Sequence, residues 1–182
     1  MPSYKGLQMK NFKRLDGLEG DGLYADVFLH GEKVGVFRND GFGGNAVTTF
    51  ERKEDEEAAM QILYEFAKRN PSEMFMSLYQ KRQDLYEQEV ERIKKYFPYL
   101  EGEITMEVAS AFNMEYLAYE LLQLTNLEMF FMEDILNDGY RAMSVTKDGE
   151  MTGYPEEWTD EQIKEAAKGD RLFMSLQDFY ME

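Results

Sequence analysis

The sequence changes character at Glu51. Before it, short apolar and β-branched segments are separated by glycine-containing turns, whereas after it apolar residues recur at helical spacing. The two patterns predict an α+β fold, with N-terminal antiparallel strands, a mostly helical part and a small second hairpin. Because we find no repeat, linker or low-complexity stretch, we expect residues 1–182 to form one domain, β-rich over 1–50 and mainly helical and acidic over 51–182.

The strongest strand signal is a β-hairpin. Leu23–His30 and Val34–Arg38 are rich in apolar and β-branched residues and flank a short glycine turn. Lys5–Arg14, within the proline-free segment Ser3–Leu15, precedes the hairpin as a further antiparallel strand, joined to it by a turn segment rich in aspartate and glycine at 16–22. Downstream, Ala46–Phe50 predicts a fourth strand.

The helical part begins with acidic residues that favour a helix N-terminus, and this first helix should end at Asn70. Asn70 is then expected to cap a second helix with Pro71 in its first turn, running unbroken to Pro98. Residues 106–137 hold enough apolar side chains at helical spacing for one long helix or two shorter ones.

Two further elements are predicted near the C-terminus. Tyr140–Val145, followed by an Asp148-Gly149 turn and residues 151–154, favours a second hairpin. Thr159 and Gln162 have the spacing of a capping box, which predicts a short helix to Lys168.

Charge is distributed unevenly along the chain. The 36 Asp and Glu and 20 Lys and Arg give a formal net charge of −16. The first fifty residues carry six charges of each sign, so the whole excess comes from residues 51–182. An acidic surface of this kind aids solubility, or imitates a phosphate backbone, or contacts a basic protein while the basic N-terminal strand touches nucleic acid.

Composition also excludes several chemistries. The chain has no cysteine, which removes disulfides, thiol catalysis and thiolate metal sites, and its single histidine rules out sites built from two histidines of one chain. We find neither a transmembrane run nor a signal peptide, so we expect a soluble protein without a membrane partner.

Three local patterns are candidate sites, each with a plainer interpretation that we favour. The glycine-rich loop Asp40–Gly44 resembles a phosphate cradle but lacks the lysine and hydroxyl residues of one, and a flexible turn is the favoured interpretation. His30 is the one side chain suited to proton transfer near neutral pH, although histidines in turns are commonly just solvated. Glu133, Asp134 and Asp138 could hold a divalent metal ion from one helical face, but such carboxylates are ordinary on helix surfaces.

The N-terminal run from Lys10 to Gly44, a strand, a Gly/Asp turn and a hairpin tipped by HGEK and ending in DGFGG, resembles the opening of small proteins carried by phages and mobile elements of Gram-positive bacteria. The closing stretch TGYPEEWTDEQIKEAAKGDRLFMSL is similar to them as well. In size, acidity and hairpin the chain resembles type II anti-CRISPR proteins, which inhibit the RNA-guided DNA nuclease.

That resemblance implies a function and its partners. The expected function is to bind a type II CRISPR nuclease or its guide-RNA complex in the cytoplasm of a bacterial host cell and to inactivate it, with the N-terminal hairpin as the working element. No cofactor is implied, a divalent metal is left open, and so is a homodimer. The residues expected to contact nucleic acid or partner are Lys10, Lys13, Arg14, His30, Lys33 and Arg38.

Two alternatives stay open. One is a partner-dependent, ribonuclease-like factor that truncates guide RNA, with His30 as the candidate catalytic residue. The other is an acidic DNA mimic or accessory regulator of another host protein. Whether the chain is an enzyme is therefore undecided by its sequence.

Overall fold

Glycine turns and alternating apolar residues build the N-terminal part as an antiparallel sheet. The computed structural model describes residues 2–16, 21–41 and 46–181. In order along the chain the strands are β1 (Ser3–Tyr4), β2 (Leu7–Asp16), β3 (Asp21–Leu29), β4 (Glu32–Asn39) and β5 (Val47–Phe50). Each pairs antiparallel with the next one. The predicted α+β class is confirmed, as is the hairpin, which consists of β3 and β4.

By backbone contacts the chain divides into two compact units, Tyr4–Glu120 and Leu121–Glu182 together with Met1–Ser3. The expectation of one domain over the whole chain stays a prediction.

Two tight turns lie side by side at one end of the first sheet. Lys5 and Gly6 have φ angles of 47° and 84°, and His30 and Gly31 have φ angles of 50° and 90°. Positive φ at both central residues is the geometry of the type I′ turn, which matches the twist of antiparallel strands. The His30 N–H donates to the Gly6 carbonyl at 2.9 Å, which ties one turn to the other.

One face of this sheet is apolar and buried. Met9, Ala25, Val27 and Phe37 are at most 1% exposed. Because side chains alternate between the two faces of a strand, these residues place the core on one side and leave the other side polar. Tyr4 extends the core to the first helix through an edge-to-face contact, with its ring centre 5.4 Å from that of Phe66.

Helices follow the sheet in the described part of the chain, five of them before the π-helical turn of the second unit. They are α1 (Lys53–Arg69), α2 (Glu73–Lys81), α3 (Gln83–Tyr96), α4 (Met106–Ala111) and α5 (Met114–Phe130). The predicted first helix is therefore confirmed within two or three residues, and the region predicted as one or two helices contains two. The boundary between the two units falls within α5, after Glu120.

The prediction of one unbroken helix from Asn70 to Pro98 is wrong in two respects. Ser72, not Asn70, caps α2, because its Oγ accepts from the Phe75 N–H, while the Asn70 side chain donates back to the Phe66 carbonyl and closes α1. The helix also breaks at Arg82, whose backbone has φ −132° and ψ 75°. There the Arg82 guanidinium pairs with the Asp84 carboxylate at 2.7 Å, across the junction of α2 and α3.

The second unit contains a smaller sheet. Along the chain this unit contains the end of α5, a π-helical turn (Phe131–Ile135), β6 (Tyr140–Val145), β7 (Met151–Pro155), α6 (Asp160–Ala166), β8 (Arg171–Phe173), a 3₁₀ turn (Leu176–Phe179) and β9 (Tyr180–Met181), and the smaller sheet consists of β6, β7 and β8. The predicted second hairpin is confirmed as β6 and β7, and Thr159 and Gln162 form the predicted capping box of α6. The sequence analysis did not predict β8, which pairs with β6 and makes the sheet three-stranded.

A buried polar chain crosses the middle of this smaller sheet. Ser144 on β6 is fully buried, and its Oγ lies 2.9 Å from the Tyr154 hydroxyl and donates to Asp170 Oδ2 at 3.2 Å. A serine hydroxyl has one proton, so when Ser144 donates to Asp170 it accepts from Tyr154. On the other face of the sheet, stacked rings of Phe173 and Phe179, 4.4 Å apart, anchor an apolar cluster.

Candidate nucleic-acid interface

The polar face of the five-stranded sheet gathers four of the predicted contact residues. We call this face, formed by Lys10, Lys13, Tyr24, Asp26, Phe28, Lys33, Val36 and Arg38, the outer face. Strand register assigns these residues to one side. Lys10 lies opposite Asp26, Lys13 opposite Tyr24 and Lys33 opposite Phe28, and on β4 Val36 and Arg38 face Asp26 and Tyr24.

A β-bulge in β2 brings Lys10 and Lys13 to the same face. Three positions separate these lysines, so in a regular strand they would point to opposite sides. From Lys10 to Lys13, β2 advances by three residues, whereas β3 advances by two, from Asp26 to Tyr24. Asn11 takes up the extra length in the left-handed region, at φ 56°, where asparagine is tolerated better than most residues.

Asp26 is the centre of the outer face. Its carboxylate accepts from the Asn11 Nδ2 at 2.7 Å and from the Tyr24 hydroxyl at 3.0 Å, and it lies 2.6 Å from the Lys33 Nζ. The hydrogen bond from Asn11 and the one from Lys33 stabilise the charged carboxylate and lower the pKa of Asp26 to about 2. The same bond to Asp26 raises the pKa of Lys33, so both groups are charged at neutral pH.

Two aromatic rings flank Asp26 along β3, and each lies beneath a lysine. The Lys10 Nζ is 4.6 Å from the centre of the Phe28 ring, and the Lys13 Nζ is 5.8 Å from the centre of the Tyr24 ring. Cations over aromatic faces are attracted by the ring quadrupole. These contacts hold the ammonium groups close to the sheet.

The outer face is basic although the protein is acidic. Of the charged residues that define it, one is an anion, Asp26, and four are cations: Lys10, Lys13, Lys33 and Arg38. Lys13, Lys33 and Arg38 are exposed, while Asp26 is buried beneath its hydrogen-bonding partners. An approaching anion therefore meets cations first.

Arg14 and His30 are not part of the outer face. Arg14 lies opposite Leu23, a core residue, and so belongs to the other side of β2. His30 lies in the turn between β3 and β4, where its ring packs against Gly6 so closely that a β-carbon at that glycine would overlap the imidazole. The structure thus joins four of the six predicted contact residues and separates the other two from them.

The other candidates, the glycine-rich loop and the carboxylates near residue 134, do not form a site among the described residues. Phe42–Gly44 of the glycine-rich loop lie outside the described residues, and Gly41 N–H donates to the Asn39 side chain at 3.0 Å. Glu133 and Asp134 lie in the π-helical turn and are exposed, as is Asp138 just after it. Over residues 2–16, 21–41 and 46–181, no three carboxylate or histidine side chains are grouped closely enough to hold a metal ion.

The sequence analysis missed Asn11, Tyr24, Asp26 and Phe28 as parts of the interface. The alternation from Leu23 to Leu29 holds a usable signal, since Tyr24, Asp26 and Phe28 occupy every second position of a strand whose other positions are apolar. No pattern of this kind indicates Asn11, because a bulge is set by the pairing of two strands.

In the part of the chain that the structure describes, every helix is too short or too polar to cross a membrane. Comparisons of the chain with known protein families, curated proteins and solved structures find no match. The resemblance to anti-CRISPR proteins thus stays a prediction.

Proposed function

We propose that the protein binds RNA through its outer face and thereby inhibits a type II RNA-guided nuclease. One observation carries the RNA-binding part: four cations surround Tyr24 and Phe28 on one side of a sheet, in a chain whose net charge is −16. The first fifty residues carry six charges of each sign, so it is the pairing of the strands that gathers four cations on one face.

The residue types on this face suit a nucleic acid. Lysine and arginine bind phosphate without regard to base sequence. Open sheet faces that combine cations with aromatic rings are a common platform for single-stranded RNA, whose bases can splay out and stack. Lys13 and Arg38 flank Tyr24 from its two neighbouring strands, which gives phosphates a cation on either side of the ring.

The inhibitory part of the proposal rests on the resemblance and on charge. A nuclease of this class holds its guide in a positively charged channel and reads the heteroduplex through its backbone. In a complex, the outer face would bind exposed guide RNA while the acidic residues of 51–182 would contact basic protein.

RNA binding is tested with the outer-face double variant Lys13→Ala/Arg38→Ala. The matched control is Lys68→Ala/Lys94→Ala, which removes the same charge from exposed positions on α1 and α3. Fluorescence anisotropy with a labelled single-stranded RNA should show weaker binding for the outer-face variant alone, with a salt slope about one to two units shallower. Equal affinities for the two variants would remove the outer face from the interface.

Inhibition is tested with nuclease, guide RNA and Mg²⁺, with the guide examined on a denaturing gel. Lost DNA cleavage with intact guide supports the proposed blocker. Shortened guide supports the ribonuclease-like alternative, and an unaffected nuclease points to the acidic mimic or accessory regulator.

A further inference from the structure

A cavity of about 550 Å³ lies among the helices of the first unit, apart from the residues of the outer face. Its walls come from β5, from α1 to α4 and from the start of α5. Five aromatic side chains line it: Phe50, Phe75, Tyr79, Phe97 and Phe112. Phe97 and Phe112 meet edge to face at 5.3 Å between ring centres, and Phe112 and Tyr79 are buried.

The same cavity is negatively charged. Glu56, Glu89 and Glu115 line it together with one cation, Arg92. Arg92 is already held by Glu89 through two hydrogen bonds of 2.8 and 2.6 Å. Within the described ranges, neither Glu56 nor Glu115 has an ion-pair partner. Two carboxylates that are not held in an ion pair therefore line an aromatic cavity.

Near the cavity residue Phe75, α2 carries two exposed apolar side chains. Phe75 lines the cavity and is 40% exposed, and Met74 and Leu78 on the same helix are 69% and 39% exposed. Met74 and Leu78 are four residues apart, which places them on one side of α2. Exposed apolar side chains beside a concave site are typical of a surface that binds another protein.

Charge decides between the occupants that such a surface could have. Nucleic acid is repelled by the carboxylates. A second copy that presents this same face is disfavoured as well, because residues 51–120 carry 16 carboxylates against 9 lysines and arginines. A basic segment of a different protein has the complementary charge.

We propose that this cavity binds an arginine side chain presented by a basic, apolar segment of a protein partner, with the flanking apolar side chains of that segment on Met74 and Leu78. A guanidinium suits the site better than an ammonium, since it stacks flat on aromatic rings while it donates to carboxylates through a planar fork. This inference does not depend on RNA binding by the outer face.

The test uses a short, labelled amphipathic peptide of leucine, alanine and a central arginine, with two matched peptides in which citrulline or lysine replaces that arginine. Citrulline keeps the shape and removes the charge. Anisotropy should show that the arginine peptide binds at least about tenfold more tightly than the citrulline peptide. The lysine peptide should fall between them.

Protein variants locate the binding. Glu56→Gln and Glu115→Gln should each weaken the arginine peptide by about tenfold, whereas Glu91→Gln, an exposed control on α3, should leave its affinity within about twofold. Phe75→Ala should weaken all three peptides. Because Glu115 also accepts from the Asn39 side chain, circular dichroism of each variant checks that the fold is kept.

Three results would overturn the inference: no binding of the arginine peptide, equal binding of the citrulline peptide, or equal effects of Glu56→Gln, Glu115→Gln and Glu91→Gln. The outer-face variant Lys13→Ala/Arg38→Ala separates this inference from RNA binding, since it should bind the arginine peptide as the unchanged protein does.

Discussion

The imidazole of His30 packs directly over the α-carbon of Gly6, and the His30 N–H donates to the Gly6 carbonyl. One turn of the sheet thus buttresses the other. The glycine is required twice at this position, by its φ of 84° and by the ring that fills the space where a β-carbon would project.

Gly6→Ala should therefore destabilise the protein more than Gly31→Ala. Both glycines have positive φ, so each substitution should cost about 1–2 kcal/mol in backbone strain. A β-carbon at Gly31 meets no atom within 4 Å, whereas one at Gly6 collides with His30. Urea unfolding measures both variants. The double variant Gly6→Ala/His30→Ala should recover part of the additional loss, and equal losses for the two single variants would contradict the buttressing contact.

Asp26 should make the protein sensitive to acid. Its pKa is about 2 in the folded chain against an ordinary value of 3.8, so the stabilisation it provides is complete above about pH 5 and is lost as the pH falls through 2. Asp26→Asn removes the charge and should destabilise the protein at pH 7, because Lys33 loses its ion-pair partner and Asn11 and Tyr24 lose a charged acceptor. Unfolding measured from pH 7 to pH 2 should show a shallower decline for the variant. Parallel declines would mean that other carboxylates cause the acid sensitivity.

The same substitution should tighten RNA binding. Asp26 is the one carboxylate among the residues of the outer face, so Asp26→Asn raises the positive charge presented to phosphate while it weakens the fold. Lys33→Ala should weaken RNA binding, since it removes a cation and leaves Asp26 without its ion-pair partner. Anisotropy at low and at moderate salt distinguishes the two variants, and a loss of affinity in both would show that the Asp26–Lys33 pair acts by shaping the face.

In the second unit, Ser144→Ala should cost more stability than Tyr154→Phe. Removing the serine hydroxyl leaves the buried Tyr154 hydroxyl and the Asp170 carboxylate without their shared partner, a loss of about 1–3 kcal/mol. Removing the tyrosine hydroxyl leaves Ser144 bound to Asp170 and should cost about 0.5–1.5 kcal/mol. Thermal unfolding of the two variants measures the order, and the reverse order would mean that the serine is not the centre of the chain.

The local elements could be predicted from the sequence where one residue type determines them. Glycine at a tight turn, as at Gly31, and the paired Thr159 and Gln162 of a capping box act over a few residues, so their elements were predicted nearly at their observed bounds. The break at Arg82 was missed because no proline or glycine marks it, and the apolar stripe of the two helices continues across it.

The interface was predictable only in part for a related reason. Lys10, Lys13, Lys33 and Arg38 are visible as cations in the sequence, but their common face depends on bulges that shift the register of β2 and β4 against β3. Register is a property of paired strands. In a strand examined alone, Lys10 and Arg14 both lie an odd number of positions from Lys13, so alternation places neither of them on the face of Lys13.

At the break between α2 and α3, the order of the Arg82 and Asp84 charges along the chain matters. A helix carries partial negative charge at its C-terminus and partial positive charge at its N-terminus. Arg82 ends α2, and Asp84 lies in the first turn of α3. Each side chain therefore has a charge of opposite sign to the partial charge of the helix end beside it, while the two side chains also pair with each other. Exchanging the two residues would keep the ion pair and reverse both dipole interactions. The pair is therefore directional: its order along the chain adds a favourable dipole interaction at the end of α2 and at the start of α3 to the ion pair itself.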